Sequence, residues 1–141
     1  MTAEELWQRS GLSGEYEAWT FGEEQDKLAG LVVDGVKTAT SSAYAVYLAE
    51  NEPVPEAGSY SVILDSKNEA VCIVRTTKVE IVPYRQVTEE FARKEGEGDR
   101  SLEYWRSVHE DFFTRELQAV KMRFTDEILV VCEEFELVMT S

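Results

Sequence analysis

At 141 residues the chain has the length of one domain and can bury a core without disulfides or a structural metal. Apolar residues make up 43% and aromatics 11%, which excludes a disordered chain. With 28 Asp plus Glu against 14 Lys plus Arg, the formal net charge of −14 repels a phosphate backbone. Duplex DNA and anionic membranes are therefore not expected as partners, and any nucleic-acid ligand would need a local pocket.

Taken in chain order, Thr2 and Glu5 form a capping box for a short first helix through Arg9, which Gly11 and Gly14 end. Residues 1–21 read as an N-terminal helical extension of a single domain spanning 1–141. The start "MTAEELWQRS" has no apolar core of a signal peptide, and no apolar run approaches the roughly 18 residues of a membrane span, so a cytoplasmic protein is expected. "EYEAWTFG" reads as a strand or an ordered loop. "EEQDKLAGLVVDG" predicts a helix: its start is acidic, Leu28, Leu31 and Val32 share a face, and Gly35 follows the C-cap. "KTATSS" is extended and "AYAVYLAEN" a short helix. "SYSVILD" and "EAVCIVRTTKVEIVPY" are strands about the turn "SKN", the second long enough to predict a bend or bulge near Thr76–Thr77. "TEEFARKE" predicts a helix closed by "GEGD". The long helix "SLEYWRSVHEDFFTRELQA" repeats Leu102, Trp105, Val108, His109, Phe112 and Leu117 at helical spacing. "EILVVCEEFELV" is a closing strand with a kink expected at Glu133–Glu134. Cys72 and Cys132 lie in apolar strand-like runs and read as buried free thiols. Without a CxxC or a His cluster, no metal site and no cofactor are expected.

Three stretches carry polar chemistry. In "DGVKTATSSAY" an ammonium and four hydroxyls follow a helix. Extended backbone would send Thr38, Thr40 and Ser42 to one face and Lys37, Ala39 and Ser41 to the other, so Lys37 and Thr40 converge only if the chain turns just after Gly35. In "ARKEGEGDRS", Glu95, Glu97 and Asp99 occupy a Gly-punctuated loop. They suit a hard cation or one working carboxylate, while Asp99 and Ser101 also suit N-caps. In "WRSVH", Trp105 and the single histidine, His109, stack on one helical face, which fits a packed core residue or a catalytic one.

Gly35, Lys37 and Thr40 spell G-x-K-x-x-T between a helix and a strand. The later segment "VPYRQVTEEFARKEGEGDRSLEYWRSVHEDFF" ends one helix in E-G-E-G-D and carries W-x-x-x-H on the next. In both features, and over roughly Gly22 to Val138, the chain resembles the ASCH family (activating-signal-cointegrator homology domains). The resemblance implies an α+β, PUA-like fold: a bent, partly closed β-barrel of about five to six mainly antiparallel strands with helices covering one side. It also implies a cleft for an RNA-derived or nucleoside ligand beside the G-x-K-x-x-T turn. Some small members are amidohydrolases acting on N4-acetylcytidine through a Lys, a Thr and a Glu, which fall here on Lys37, Thr40 and Glu95. Around these, Gly35, Ser41, Ser42, Arg75, Tyr84, Asp99, Tyr104, Trp105 and His109 are the expected ligand contacts, with Tyr84, Tyr104 and Trp105 as stacking walls. The partner expected is a nucleoside or a short single-stranded RNA. A non-catalytic RNA-binding module and a ribonuclease are the alternatives. The chemistry turns on Lys37: uncharged, it is a base for Thr40; paired directly with Glu95, it is an ammonium that clamps an oxyanion.

Overall fold

The computed structural model describes all 141 residues. Five strands form one sheet: β1 (Glu17–Thr20), β2 (Ala39–Ala43), β3 (Tyr60–Leu64), β4 (Ala70–Pro83) and β5 (Leu129–Thr140), in the order β1-β3-β4-β5-β2. Only β1 and β3 run parallel; every other pair is antiparallel. The sheet curls into a half-barrel, the α+β architecture expected. It is open because its two edges, β1 and β2, do not pair with each other.

Five helices cover it: α1 (Ala3–Ser10), α2 (Gln25–Val33), α3 (Tyr44–Ala49), α4 (Glu89–Glu95) and α5 (Leu102–Ala119). The capping box of α1 is present, Thr2 and Glu5 each accepting the other's backbone N–H at 3.1 Å. Leu6 and Trp7 on α1 are buried with Val62, Ala70 and Ile73, and the following stretch supplies strand β1, so the first twenty residues add both a helix and a sheet edge. α2 buries Leu28, Ala29 and Val32 against Ile63, Cys72, Val74 and Phe135 on the inner face of the curl. α4 and α5 cover the opposite face, where Phe91, Ala92, Trp105, Phe113 and Leu117 pack on Ala39, Ala43, Val130 and Cys132. β5 is therefore clad on both faces, and Val130 to Glu133 are all buried rather than alternating. Both thiols are free, and burial pushes each up to about 12, which leaves them unreactive.

Two details differ from the pattern in the sequence. The bend near Thr76–Thr77 is a register shift between Thr76 and Lys78, but Glu133 and Glu134 pair in step with Val79 and Lys78. The irregularity expected in β5 thus belongs to β4, where one extra residue is enough to bend both strands. On α5 the core position is Phe113, not Phe112. The ring of Phe112 instead lies where a side chain on Gly22 would have to be.

Two glycines position the site. Gly35 (φ +77°) ends α2 with open space around it, whereas Gly96 (φ +74°) ends α4 directly against the Val36 carbonyl. Both substitutions to alanine incur the left-handed penalty of about 1–2 kcal/mol. Only Gly96→Ala adds a steric overlap with backbone. Chemical denaturation should show Gly96→Ala clearly more destabilised than Gly35→Ala; equal losses would mean that α4 does not abut the entry to β2.

Candidate active site

Lys37 lies between Gly35 and β2, under the last turn of α4. Thr38 anchors that approach, its backbone N–H and its hydroxyl both donating to the Lys94 carbonyl, at 2.7 and 3.3 Å. The Lys37 side chain is only 1% exposed. Its ammonium donates to Glu95 Oε1 at 3.0 Å, to the Glu95 carbonyl at 3.3 Å and to Glu97 Oε2 at 2.8 Å. Three donors meet three acceptors, so the group is saturated. The ring of Phe21 lies 5.3 Å from Nζ, within cation–π reach.

Glu95 is as fully engaged. Its Oε2 accepts from Ser41 Oγ and from Trp105 Nε1, each at 2.6 Å, and faces His109 Nε2 at 3.4 Å. The His109 ring stacks on Trp105 with centroids 4.2 Å apart and planes 13° from parallel. His109 Nδ1 lies 2.9 Å from the Trp105 carbonyl, which can only accept, so Nδ1 carries a hydrogen and Nε2 is the atom presented to the carboxylate.

Burial alone would strip charge from both partners of the central pair. For Lys37, burial lowers the pKa, but Glu95 and then Glu97 outweigh it and hold the amine above its ordinary value of 10.5. For Glu95, burial raises the pKa, but Lys37, His109 and the bonds from Ser41 and Trp105 hold the carboxyl well below 4.5. The pair is therefore ionised at neutral pH. An ammonium takes no proton, so the geometry suits Lys37 as a source of positive charge and Glu95 as the group that aims it.

A small cavity of about 70 Å³ is lined by Lys37, Thr40, Ser41, Glu95, Glu97 and His109 among others. It adjoins a cleft of about 1020 Å³ that fills the open side of the half-barrel between β1 and β2. Phe21, Gly22, Thr40, Ser41 and Phe112 belong to both. Strand alternation holds here: Ser41 turns to Glu95, while Thr40, opposite Glu133 in the β2–β5 register, belongs to the inner face. The hydroxyl bound to Glu95 is thus that of Ser41, and Thr40 makes no hydrogen bond to the charged cluster. Ser42 Oγ bonds Tyr47 Oη at 2.9 Å, in the cleft.

The other expected contacts lie elsewhere. Gly35 shapes the turn but lines neither cavity. Arg75 pairs with Glu136 at 3.3 Å on the exposed outer face, because its strand position has the opposite parity to Thr76. Asp99 accepts the Ser101 N–H at 2.9 Å, which ties down the chain just before α5, whose N-cap is Ser101 itself. Tyr104 packs over Gly98, outside both cavities. Tyr84 is core, ringed by Trp105, Phe113 and Phe124, and its hydroxyl donates to the Arg106 carbonyl. Trp105 contributes an N–H donor rather than a stacking wall.

Three participants were not in the expected set. Glu97 was visible as the second acid of the E-G-E-G-D loop, and Glu133 as a carboxylate inside an apolar strand; Phe21 carried no signal. Glu95, Glu97 and His109 bring ligating atoms within 4.8 Å of one another, a grouping that a cation could use. Nζ of Lys37 already supplies positive charge at the two carboxylates.

A model of the ASCH domain family matches residues 17–139. The chain belongs to the ASCH domain family. Among solved structures, the ASCH domain from Lactobacillus crispatus JV V101 is 31% identical, with a TM-score of 0.88 over 95% of this chain and 91% of that one. Protein EF3133 from Enterococcus faecalis V583 is 39% identical, with a TM-score of 0.87 over 97% and 85%. Hypothetical protein PH0355, at 15% identity and a TM-score of 0.60 over 88% and 100%, shares the fold alone. No curated protein matches. No helix of this ASCH domain is long and apolar enough to cross a membrane.

The ion pair sets a pH window. Glu95, with its pKa depressed on folding, contributes stability above about 4.5 that is lost as pH falls through the folded value. Lys37, with its pKa raised, contributes below about 10.5 and loses that contribution as pH rises through its folded value. Denaturation midpoints should therefore plateau between these limits and fall beyond both. Glu95→Gln should cost about 3–5 kcal/mol at neutral pH, since it leaves a buried ammonium half-paired. A loss below about 1 kcal/mol would mean that Lys37 sheds its charge inside the fold.

Proposed function

We propose that this ASCH domain is an amidohydrolase for N-acylated nucleosides of the cytidine type. Thr40 is the nucleophile, and Lys37, held by Glu95, is the electrostatic clamp. The observation that carries the reading is that Lys37, Thr40 and Glu95 line one small cavity, which opens into a cleft large enough for a nucleoside. A base placed in the cleft would direct its exocyclic acyl group past Thr40 toward the ammonium.

In this reading Thr40 Oγ attacks the acyl carbon and its proton passes to Glu97, the more exposed of the two carboxylates on Lys37, at 14% against 2%. Neutralised, Glu97 releases its share of Lys37. That frees one N–H to meet the oxyanion of the tetrahedral intermediate. As the intermediate collapses, the C–N bond breaks, the proton moves from Glu97 to the departing amine, and an acyl-Thr40 ester remains for water to cleave. Glu95 stays ionised throughout because four groups hold it so. Gly96 and Gly98, both at positive φ, give the Glu97 backbone its turn.

The test is turnover of N4-acetylcytidine by purified protein. Thr40→Val should abolish it. Glu97→Gln should lower kcat by about 10²-fold or more, with a smaller fall in the unfolding midpoint than Glu95→Gln, whose carboxylate is the more deeply buried of the two. Unchanged turnover in Thr40→Val removes Thr40 as nucleophile. A wild type that turns over no N-acyl nucleoside but binds single-stranded RNA with a steep salt dependence points to a binding module instead.

A further inference from the structure

We infer that the cleft between β1 and β2 is a site for an uncharged or cationic nitrogen heteroaromatic that carries no phosphate, and that Glu133 reads its N–H edge. The inference rests on the reading that a nucleoside enters beside Thr40, and it adds which form of the nucleoside enters and what recognises it.

The charge of the walls comes first. Glu15, Glu17, Glu56, Glu116 and Glu133 all line the cleft, and no lysine or arginine does. Lys37 lines only the small cavity, where its three donors are already taken. A phosphate brought into the large cleft would meet only like charge, with no cation to offset it. A neutral base or a cation meets no such barrier. Trp19, Tyr47 and Tyr60 supply flat apolar surface on which a ring can lie.

Glu133 provides the specific group. It is 7% exposed, sits on the inner face of β5 and lines the cleft. Its Oε2 accepts from Thr76 Oγ1 at 2.6 Å. No protein donor reaches Oε1. No fully buried side-chain oxygen in the molecule lacks a partner, so Oε1 opens onto the cavity as an unused acceptor. Burial pushes the Glu133 carboxyl above its ordinary range, and Glu17 adds to this, while Thr76 pulls the other way. An N–H donor or a cation at Oε1 would relieve that penalty. Glu133 is also the direct cross-strand partner of Thr40 on the same face of the sheet. A ring whose N–H edge bonds Glu133 therefore lies against Thr40.

The test is calorimetric titration of the intact protein with cytidine, cytidine 5′-monophosphate and N4,N4-dimethylcytidine. Cytidine should bind about tenfold or more tightly than either of the others, one adding charge and the other lacking N–H donors on the exocyclic nitrogen. Glu133→Met should lose cytidine affinity to a similar degree, and Glu116→Gln should narrow the gap between cytidine and the monophosphate. Comparable affinity for cytidine and its monophosphate, or undiminished binding of the dimethyl compound, overturns the inference on wild-type protein alone, even if Glu133→Met does not fold. Turnover of N4-acetylcytidine is read separately. Its absence alongside the expected binding order leaves this inference standing and removes the hydrolase; its presence without discrimination against phosphate does the reverse.

Discussion

Lys37 carries an ammonium into an interior where an unpaired charge is not tolerated, and three oxygens from the end of α4 and the loop after it hold it there. Much of the local architecture serves that arrangement. α4 must end where it does, so that a backbone carbonyl and the Glu95 side chain face the same amine. Gly96 must be a glycine, because the helix end touches the chain entering β2. Ser41 and Trp105 satisfy the far side of Glu95, with His109 beside them, since a carboxylate with one good partner would still be costly to bury. Segments nearly sixty residues apart are thus joined by one charge cluster, together with the main-chain link from Thr38 to Lys94.

The sheet then divides the chemistry. β2 is an edge strand with a helical layer on one face and the open half-barrel on the other. Alternation along it sends Ser41 to the charged cluster and Thr40 and Ser42 to the cleft. Both residues line the cleft, but only Ser41 bonds the charged cluster. A group fixed by the buried charges and one free of them sit one peptide apart on the same strand. The unpaired edges β1 and β2 make this possible: a barrel closed between them would have no cleft.

Much of this was legible in the residues because the signals were local. The capping box at Thr2, the left-handed stop at Gly35, the bend at Thr76–Thr77 and the long helix from Ser101 each follow from a few neighbouring side chains. The alternation that puts Thr40 and Ser41 on opposite faces of β2 also follows from extended geometry. What could not be read was tertiary. Arg75 and Asp99 have the composition of ligand contacts, but strand parity turns one outward and a helix start takes the other. Tyr84 and Tyr104 have the rings of a stacking wall, but ring type does not distinguish a cleft wall from a core. Glu97 and Glu133 stand out locally, as an acid in a glycine-punctuated loop and a carboxylate in an apolar strand, but what lies opposite each of them is set only by the fold.

The net charge of −14 takes on local meaning in this fold. A uniform acidic surface would only keep polyanions at a distance. Here acidic groups also line the cleft, while the one fully buried ammonium lies behind it, screened by Glu95 and Glu97. An anionic ligand is opposed at the mouth before it can feel Lys37. A neutral ligand is not, and negative charge that develops only during reaction would arise next to Nζ, past the acidic wall. On the proposed reading, that separation would let one pocket reject a ground-state anion yet stabilise a transient one, because in a site of low dielectric the sign of the nearest unshared charge decides which species is welcome.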